Sequence, residues 1–180
     1  MRKIEIKSHR SFLEDIIFLV SLLIAYILQT SCNLLNIFGI TPLIILAVIL
    51  SISMFYRETI TYVYSFIGGI LCDICLGTPV GISCLIFVII FMVINMLTIY
   101  YVRINIVSFL LFMFILILTE SLTVAVFLSI KASSFQMNIY FVKNIITLII
   151  VTEIISIPIY LFFKFINQKV FLRSDIFYIK

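Results

Sequence analysis

Apolar runs longer than roughly 18 residues recur between Ile16 and Phe163, and only short polar breaks separate them. Such runs are the signature of membrane-spanning helices. Alternating apolar and polar residues of the outer-membrane barrel kind are absent, so the spans are expected to be helical. The segments left for water are too short to build a soluble catalytic domain. Composition agrees: 64% of the 180 residues are hydrophobic and 11% are charged, where a soluble domain averages about 25% charged. Mean hydropathy is +1.35. The expected fold is an all-α membrane protein, one integral domain over residues 1–180 with six transmembrane helices.

The breaks place the spans at about 16–35, 38–56, 60–76, 79–101, 104–130 and 139–163. Asn33, Asn36, Gly39 and Pro42 mark the first turn, and Arg57-Glu58-Thr59 the second. Gly77-Thr78-Pro79 ends the third span, because proline removes a backbone donor and disfavours helix at the residue before it. Thr78 is then expected to cap the fourth helix with Pro79 in its first turn. Arg103-Ile104-Asn105 opens the fifth span, and Lys131 to Asn138 form the only sizeable internal loop.

Charge fixes the expected orientation. With six spans, Arg2, Lys3, Lys7, Arg10, Arg57, Arg103, Lys164, Lys169, Arg173 and Lys180 share one side with both termini. Only Lys131 and Lys143 of the 12 basic residues fall elsewhere. The positive-inside rule then puts both termini in the cytoplasm. The net charge of +4 thus reports topology, since its carriers are too scattered for nucleic acid. Tyr56, Tyr100 and Tyr101 sit beside arginines, as rings at headgroup level do. The apolar core after the basic N-terminus is too long for a signal peptide, and Leu28 to Cys32 imitates a lipoprotein cleavage site poorly. An uncleaved first span is expected. The tail from Phe165 to Lys180 reads equally as an interfacial segment or a solvated end.

One stretch differs from the rest: Phe66 to Gly81, FIGGILCDICLGTPVG, holds four of the five glycines and an aspartate. At helical spacing Gly69, Asp73 and Gly77 fall on one face, and Gly81 continues the count beyond Pro79. Small residues let helices approach closely in lipid, and a carboxylate there must face protein or water. This helix is therefore expected to be enclosed by the others. Asp73 lies near the carbonyl end of its helix, where the macrodipole disfavours negative charge, so it needs a donor or a proton. Lys143 is the basic residue placed to reach it.

Asp73, Glu120 and Glu153 lie within spans. Each charged group at a span centre costs about 2.5–3.5 kcal/mol. Two readings stand: a proton or cation path, or buried groups bonding between helices. Cys72 and Cys75 form a C-x-x-C, with Cys32 and Cys84 elsewhere and His9 as the single histidine. No second ligand pair and no thioredoxin-like context accompany it, so packing is the expected role. An aspartyl protease needs paired aspartates, a serine hydrolase needs converging Ser, His and Asp, and nucleotide chemistry needs a phosphate loop. The spans offer none of these. No catalytic residue, cofactor or metal is expected.

The pattern F-x-x-G-x-x-x-D-x-x-x-G-x-P-x-G, here Phe66, Gly69, Asp73, Gly77, Pro79 and Gly81, resembles the signature segment of MreD, the bacterial rod shape-determining membrane protein. A first span ending in Ile27-Leu28-Gln29, a second opening at Thr41-Pro42, and an acid in the fifth span, Glu120, resemble the family's layout over nearly the whole chain. The resemblance implies a non-enzymatic scaffold of lateral peptidoglycan synthesis in the bacterial inner membrane. It implies an MreC-like single-span partner and, through it, MreB-like filaments and cell-wall synthesis enzymes. Gly69, Asp73, Gly77, Pro79 and Gly81 would form the central helix and its hinge, with partner binding around that face, and Glu120 a second buried polar group. The alternative is the substrate-binding membrane subunit of an energy-coupling factor transporter, for which Gln29, Asn33, Asn36, Asp73, Asn95 and Glu120 are the polar candidates. A proton-coupled channel using Glu153 is a third reading.

Overall fold

A computed structural model describes residues 2–31, 41–55, 58–102, 104–132 and 139–169. All regular structure among them is helical: α1 (Arg2–Thr30), α2 (Ile44–Phe55), α3 (Glu58–Leu76), α4 (Ile82–Tyr100), α5 (Ile106–Ala132) and α6 (Ile139–Lys169). Two of the six contain a stretch long and apolar enough to cross a membrane, Ile106–Phe127 in α5 and Asn144–Asn167 in α6. The apolar parts of the other four, Asp15–Thr30, Ile44–Phe55, Thr61–Leu76 and Ile82–Thr98, are shorter. The expected spans thus correspond to helices, but length alone marks only two of them as membrane-crossing.

The enclosed helix is α2, not α3. All twelve residues of α2 are buried, and it touches each of the other five helices. The cause lies in its composition: Ile44–Phe55 carries no charge and is apolar all round, so it has no side to turn outward. By contrast α3 leaves Val63, Phe66, Ile67 and Ile74 exposed. Its glycines face inward on two sides. A Cβ at Gly68 would run into the Ile49 side chain of α2, and one at Gly69 would overlap the Cys84 backbone of α4. That backbone proximity makes α3 and α4 the most extensively packed pair.

Several boundaries differ from the sequence expectation. The first helix is continuous from Arg2 and stops at Thr30, the fourth starts at Ile82, and the sixth runs on to Lys169. Pro158 lies within α6, where it withholds one hydrogen bond from the helix. The breaks at 32–40, 56–57 and 133–138 and the tail at 170–180 lie outside the described residues.

Two layers cross the bundle. In one, Phe18 meets Tyr64 edge-on and lies beside Phe163, while Tyr160 lies between Phe55 and Phe109 at centroid distances of 5.4 and 4.8 Å. These six rings come from α1, α2, α3, α5 and α6 and fill the interior. The other layer is polar and holds the candidate site. Outside, the bundle presents large apolar side chains: Ile27, Leu85, Ile89, Val107 and Ile154 are each more than half exposed. Inside lie Gln29, Asp73, Asn95, Glu120 and Thr152.

Candidate functional site

The site is a corner built where α3 hands over to α4. Gly77, at φ 68°, takes the left-handed conformation just after α3. The chain then folds back so that the Thr78 N–H reaches the Asp73 carbonyl at 3.1 Å, the bond that closes a helix end of this kind. Gly81, at φ 114°, precedes the first turn of α4. A Cβ at either glycine would meet nothing within 4 Å. Their role is therefore conformational, and helix packing belongs to Gly69. The even spacing of Gly69, Asp73 and Gly77 thus spans two different functions. Pro79 is exposed on the turn.

Asp73 is fully buried. Its Oδ2 accepts the Gly81 N–H at 2.7 Å, and its Oδ1 accepts the Ser83 N–H at 3.2 Å and the Thr78 hydroxyl at 2.8 Å. Those two amides are orphan donors of the α4 N-terminus. The carboxylate from the preceding helix thus does what a local N-cap side chain does, because the local position is a glycine. Two expectations are corrected here. Thr78 does not cap α4 but donates to Asp73, and Pro79 is not in the helix's first turn. Nor is Asp73 governed by the unfavourable end of its own helix: the favourable end of α4 sits against it and supplies the donors. The Lys143 side chain lies outside the described residues, and the Asp73 donors named here all come from its own corner.

Ser83 extends the corner to α5. Its hydroxyl donates to Glu120 Oε1 at 3.0 Å, whereas Glu120 Oε2 is buried without a hydrogen-bond partner among the described residues. Cys72 is buried beside Gln29 and Glu120. Gln29 in turn accepts the Ile45 N–H through Oε1 at 3.1 Å, and Thr152 of α6 accepts the Leu43 N–H at 3.3 Å. The start of α2 is thereby capped by α1 and α6. These bonds join α3, α4 and α5 in one set and α1, α2 and α6 in another, with Cys72 of α3 beside Gln29 of α1 between them. Apart from these, Ser53 donates to Asn95 Oδ1 at 3.0 Å, and Asn95 Nδ2 has no partner among the described residues.

The structure unites Asp73 and Glu120 through Ser83 and keeps Glu153 apart. Glu153 is half-buried on α6, and its carboxyl has no partner among the described residues. Cys72, Cys75 and Cys84 form no disulfide among the described residues, and no group of three potential metal ligands occurs among them. The sequence reading missed Ser83, Thr152 and Gly68. Ser83 carried a signal, a serine two residues past a glycine that opens a helix. Thr152 carried none, since its partner lies 109 residues away.

Chemically, the corner joins helices. The hydrogen-bonding reach of Asp73 is spent on one turn and one helix start, and Gly69 is covered by α4. The Gly69–Asp73 face is thus occupied within the chain. No family model matches the sequence, and neither a curated protein nor a solved structure matches it.

Proposed function

We propose that this chain is a multi-pass protein of the bacterial cytoplasmic membrane and a non-enzymatic scaffold of the MreD kind. In that role it would hold an MreC-like protein within the machinery of lateral wall synthesis. The membrane reading rests on the inverted character of the bundle, with exposed Ile, Leu, Val and Phe outside and carboxyl, amide and hydroxyl groups inside. Short helices are compatible with crossing when neighbours enclose them and irregular segments are buried in protein. The basic residues then place both termini in the cytoplasm.

One observation carries the scaffold reading: the acid of the MreD-like segment is consumed by structure. Asp73 closes the α3–α4 corner through three hydrogen bonds and offers nothing to a substrate. A residue of this kind holds a shape that others recognise.

The test is a cross-linked pull-down from native membranes with an affinity tag after Lys180, read by mass spectrometry. Recovery of an MreC-like protein together with wall-synthesis enzymes supports the scaffold. Recovery of a transporter's coupling protein with its ATPases overturns it in favour of a substrate-binding subunit.

A further inference from the structure

The strongest unexplained residue is Glu153. It sits within the stretch Asn144–Asn167 that is long and apolar enough to span a membrane. At 1.5 Å per residue it lies about 13 Å from Asn144 and about 21 Å from Asn167. A glutamate side chain is too short to carry its carboxyl to either end. Unlike Asp73 and Glu120 it is not inside the bundle: it is half-buried, at the edge of the inward face of α6. Unlike them, it has no partner among the described residues.

Its neighbours form a pattern. Ile146, Ile150, Glu153, Ile157 and Leu161 follow one another at intervals of four, three, four and four. That is the spacing of a helix seam that packs against another helix. Ile146, Ile150 and Leu161 are half exposed, and Ile157 is intermediate. The seam is therefore apolar, open, and interrupted at its middle by one acid.

We infer that this face of α6 docks a membrane-spanning helix of a different protein, which presents a hydrogen-bond donor to Glu153. The inference rests on the multi-pass, partner-binding reading above. Charge complementarity selects the occupant. A carboxyl at that depth demands a donor, whether from Ser, Thr, Asn, Gln, Lys or Arg. A second copy of this chain fits less well, because a parallel α6–α6 pair sets Glu153 against Glu153, and two carboxylates repel unless a proton is held between them. Lipid tails supply no donor at all.

The experiment places a photo-cross-linking amino acid at Ile150 or Leu161 in the full chain in native membranes, with Leu85 on α4 as a control site. The expected product joins α6 to an apolar segment of another protein that carries a donor within one turn of the linked residue. Glu153→Leu should cut that yield about three-fold and at most about eighteen-fold, matching the average and the largest interhelical hydrogen bonds measured in a membrane bundle. Glu153→Gln, which still accepts, should retain most of it, and yield at Leu85 should not change. Neither substitution removes a bond from the fold, so thermal stability in detergent should stay level. Products with lipid or a second copy only, or a partner yield indifferent to Glu153→Leu, overturn the inference. If the tagged chain recovers its partner yet this seam is indifferent, the scaffold reading survives without it. If the seam behaves as stated but its partner belongs to no wall-synthesis assembly, the docking stands and the scaffold reading falls.

Discussion

Helices α2 and α4 begin with the same two backbone groups satisfied, and they satisfy them from opposite distances. In α4 the N–H groups of Gly81 and Ser83 both go to one carboxylate, Asp73, eight and ten residues back along the chain. In α2 the equivalent groups, Leu43 and Ile45, go to two neutral side chains, Thr152 and Gln29, separated from them by 109 and 16 residues. The first arrangement is complete within a hairpin. The second exists only once α1 and α6 have arrived. A charged acceptor suits the first case because it faces the positive end of α4 with three donors at hand. Neutral acceptors suit the second, where an ion would have to stay buried until assembly finished. The difference implies an order: the α3–α4 corner is a local unit, and the α2 start is a lock closed by the whole bundle.

The largest expected effect therefore falls on Asp73. Asp73→Ala leaves the buried Ser83 amide and the part-buried Gly81 amide and Thr78 hydroxyl without this acceptor and should cost about 3 kcal/mol. Asp73→Asn keeps one acceptor oxygen and should cost roughly half as much. Reversible unfolding in mixed micelles, followed by circular dichroism, measures both. An Asp73→Ala variant as stable as the parent would remove the basis of the comparison.

Next comes Gly69→Ala, which changes no hydrogen bond but drives a methyl into the Cys84 backbone. Backbone yields less readily than a side-chain tip, so about 1–3 kcal/mol is expected by the same measurement. Gly68→Ala should be milder, since it meets the Ile49 side chain, which can rotate. Equal losses at the two glycines would mean that α3 and α4 are less closely joined than their packing indicates.

Capping of α2 is expected to matter less per residue. Gln29→Ala and Thr152→Val should each cost about 1 kcal/mol, because each removes one acceptor from one amide. Their combination should exceed the sum if the α2 start frays once both are gone, and a double-mutant cycle reads that coupling. A Gln29→Ala loss as large as that of Asp73→Ala would break the distinction between local corner and global lock.

The same contrast explains what could be read from the chain alone. The all-helical organisation follows from long apolar runs, and the corner announces itself through Gly77-Thr78-Pro79 and Gly81. The central position of α2 was hidden, because an apolar stretch such as Ile44–Phe55 looks like any span until its neighbours are known. The donors of Asp73 were hidden too. They are main-chain groups, invisible as residue types, and the regular Gly69–Asp73–Gly77 spacing suggested one packing face where there are a contact and a turn. Thr152 is one of many hydroxyls in apolar helices, and nothing in its surroundings marks it as a cap for residue 43.

The smallest effect tests the link between the two regions. Ser83 donates its amide to Asp73 and its hydroxyl to Glu120, so Ser83→Ala severs α5 from the corner while leaving the cap of α4 intact. The loss should be about 0.6 kcal/mol, the average of interhelical hydrogen bonds measured in a membrane bundle. Part of that loss comes from Glu120, whose second oxygen lacks a partner among the described residues and whose first would then lose its own. Replacing both ends removes that burden. The double variant Ser83→Ala with Glu120→Leu should accordingly be no less stable than Ser83→Ala alone. If it is less stable by another 1 kcal/mol or so, Glu120 has a further donor, and the polar layer binds α5 more firmly than the α3–α4 corner alone accounts for.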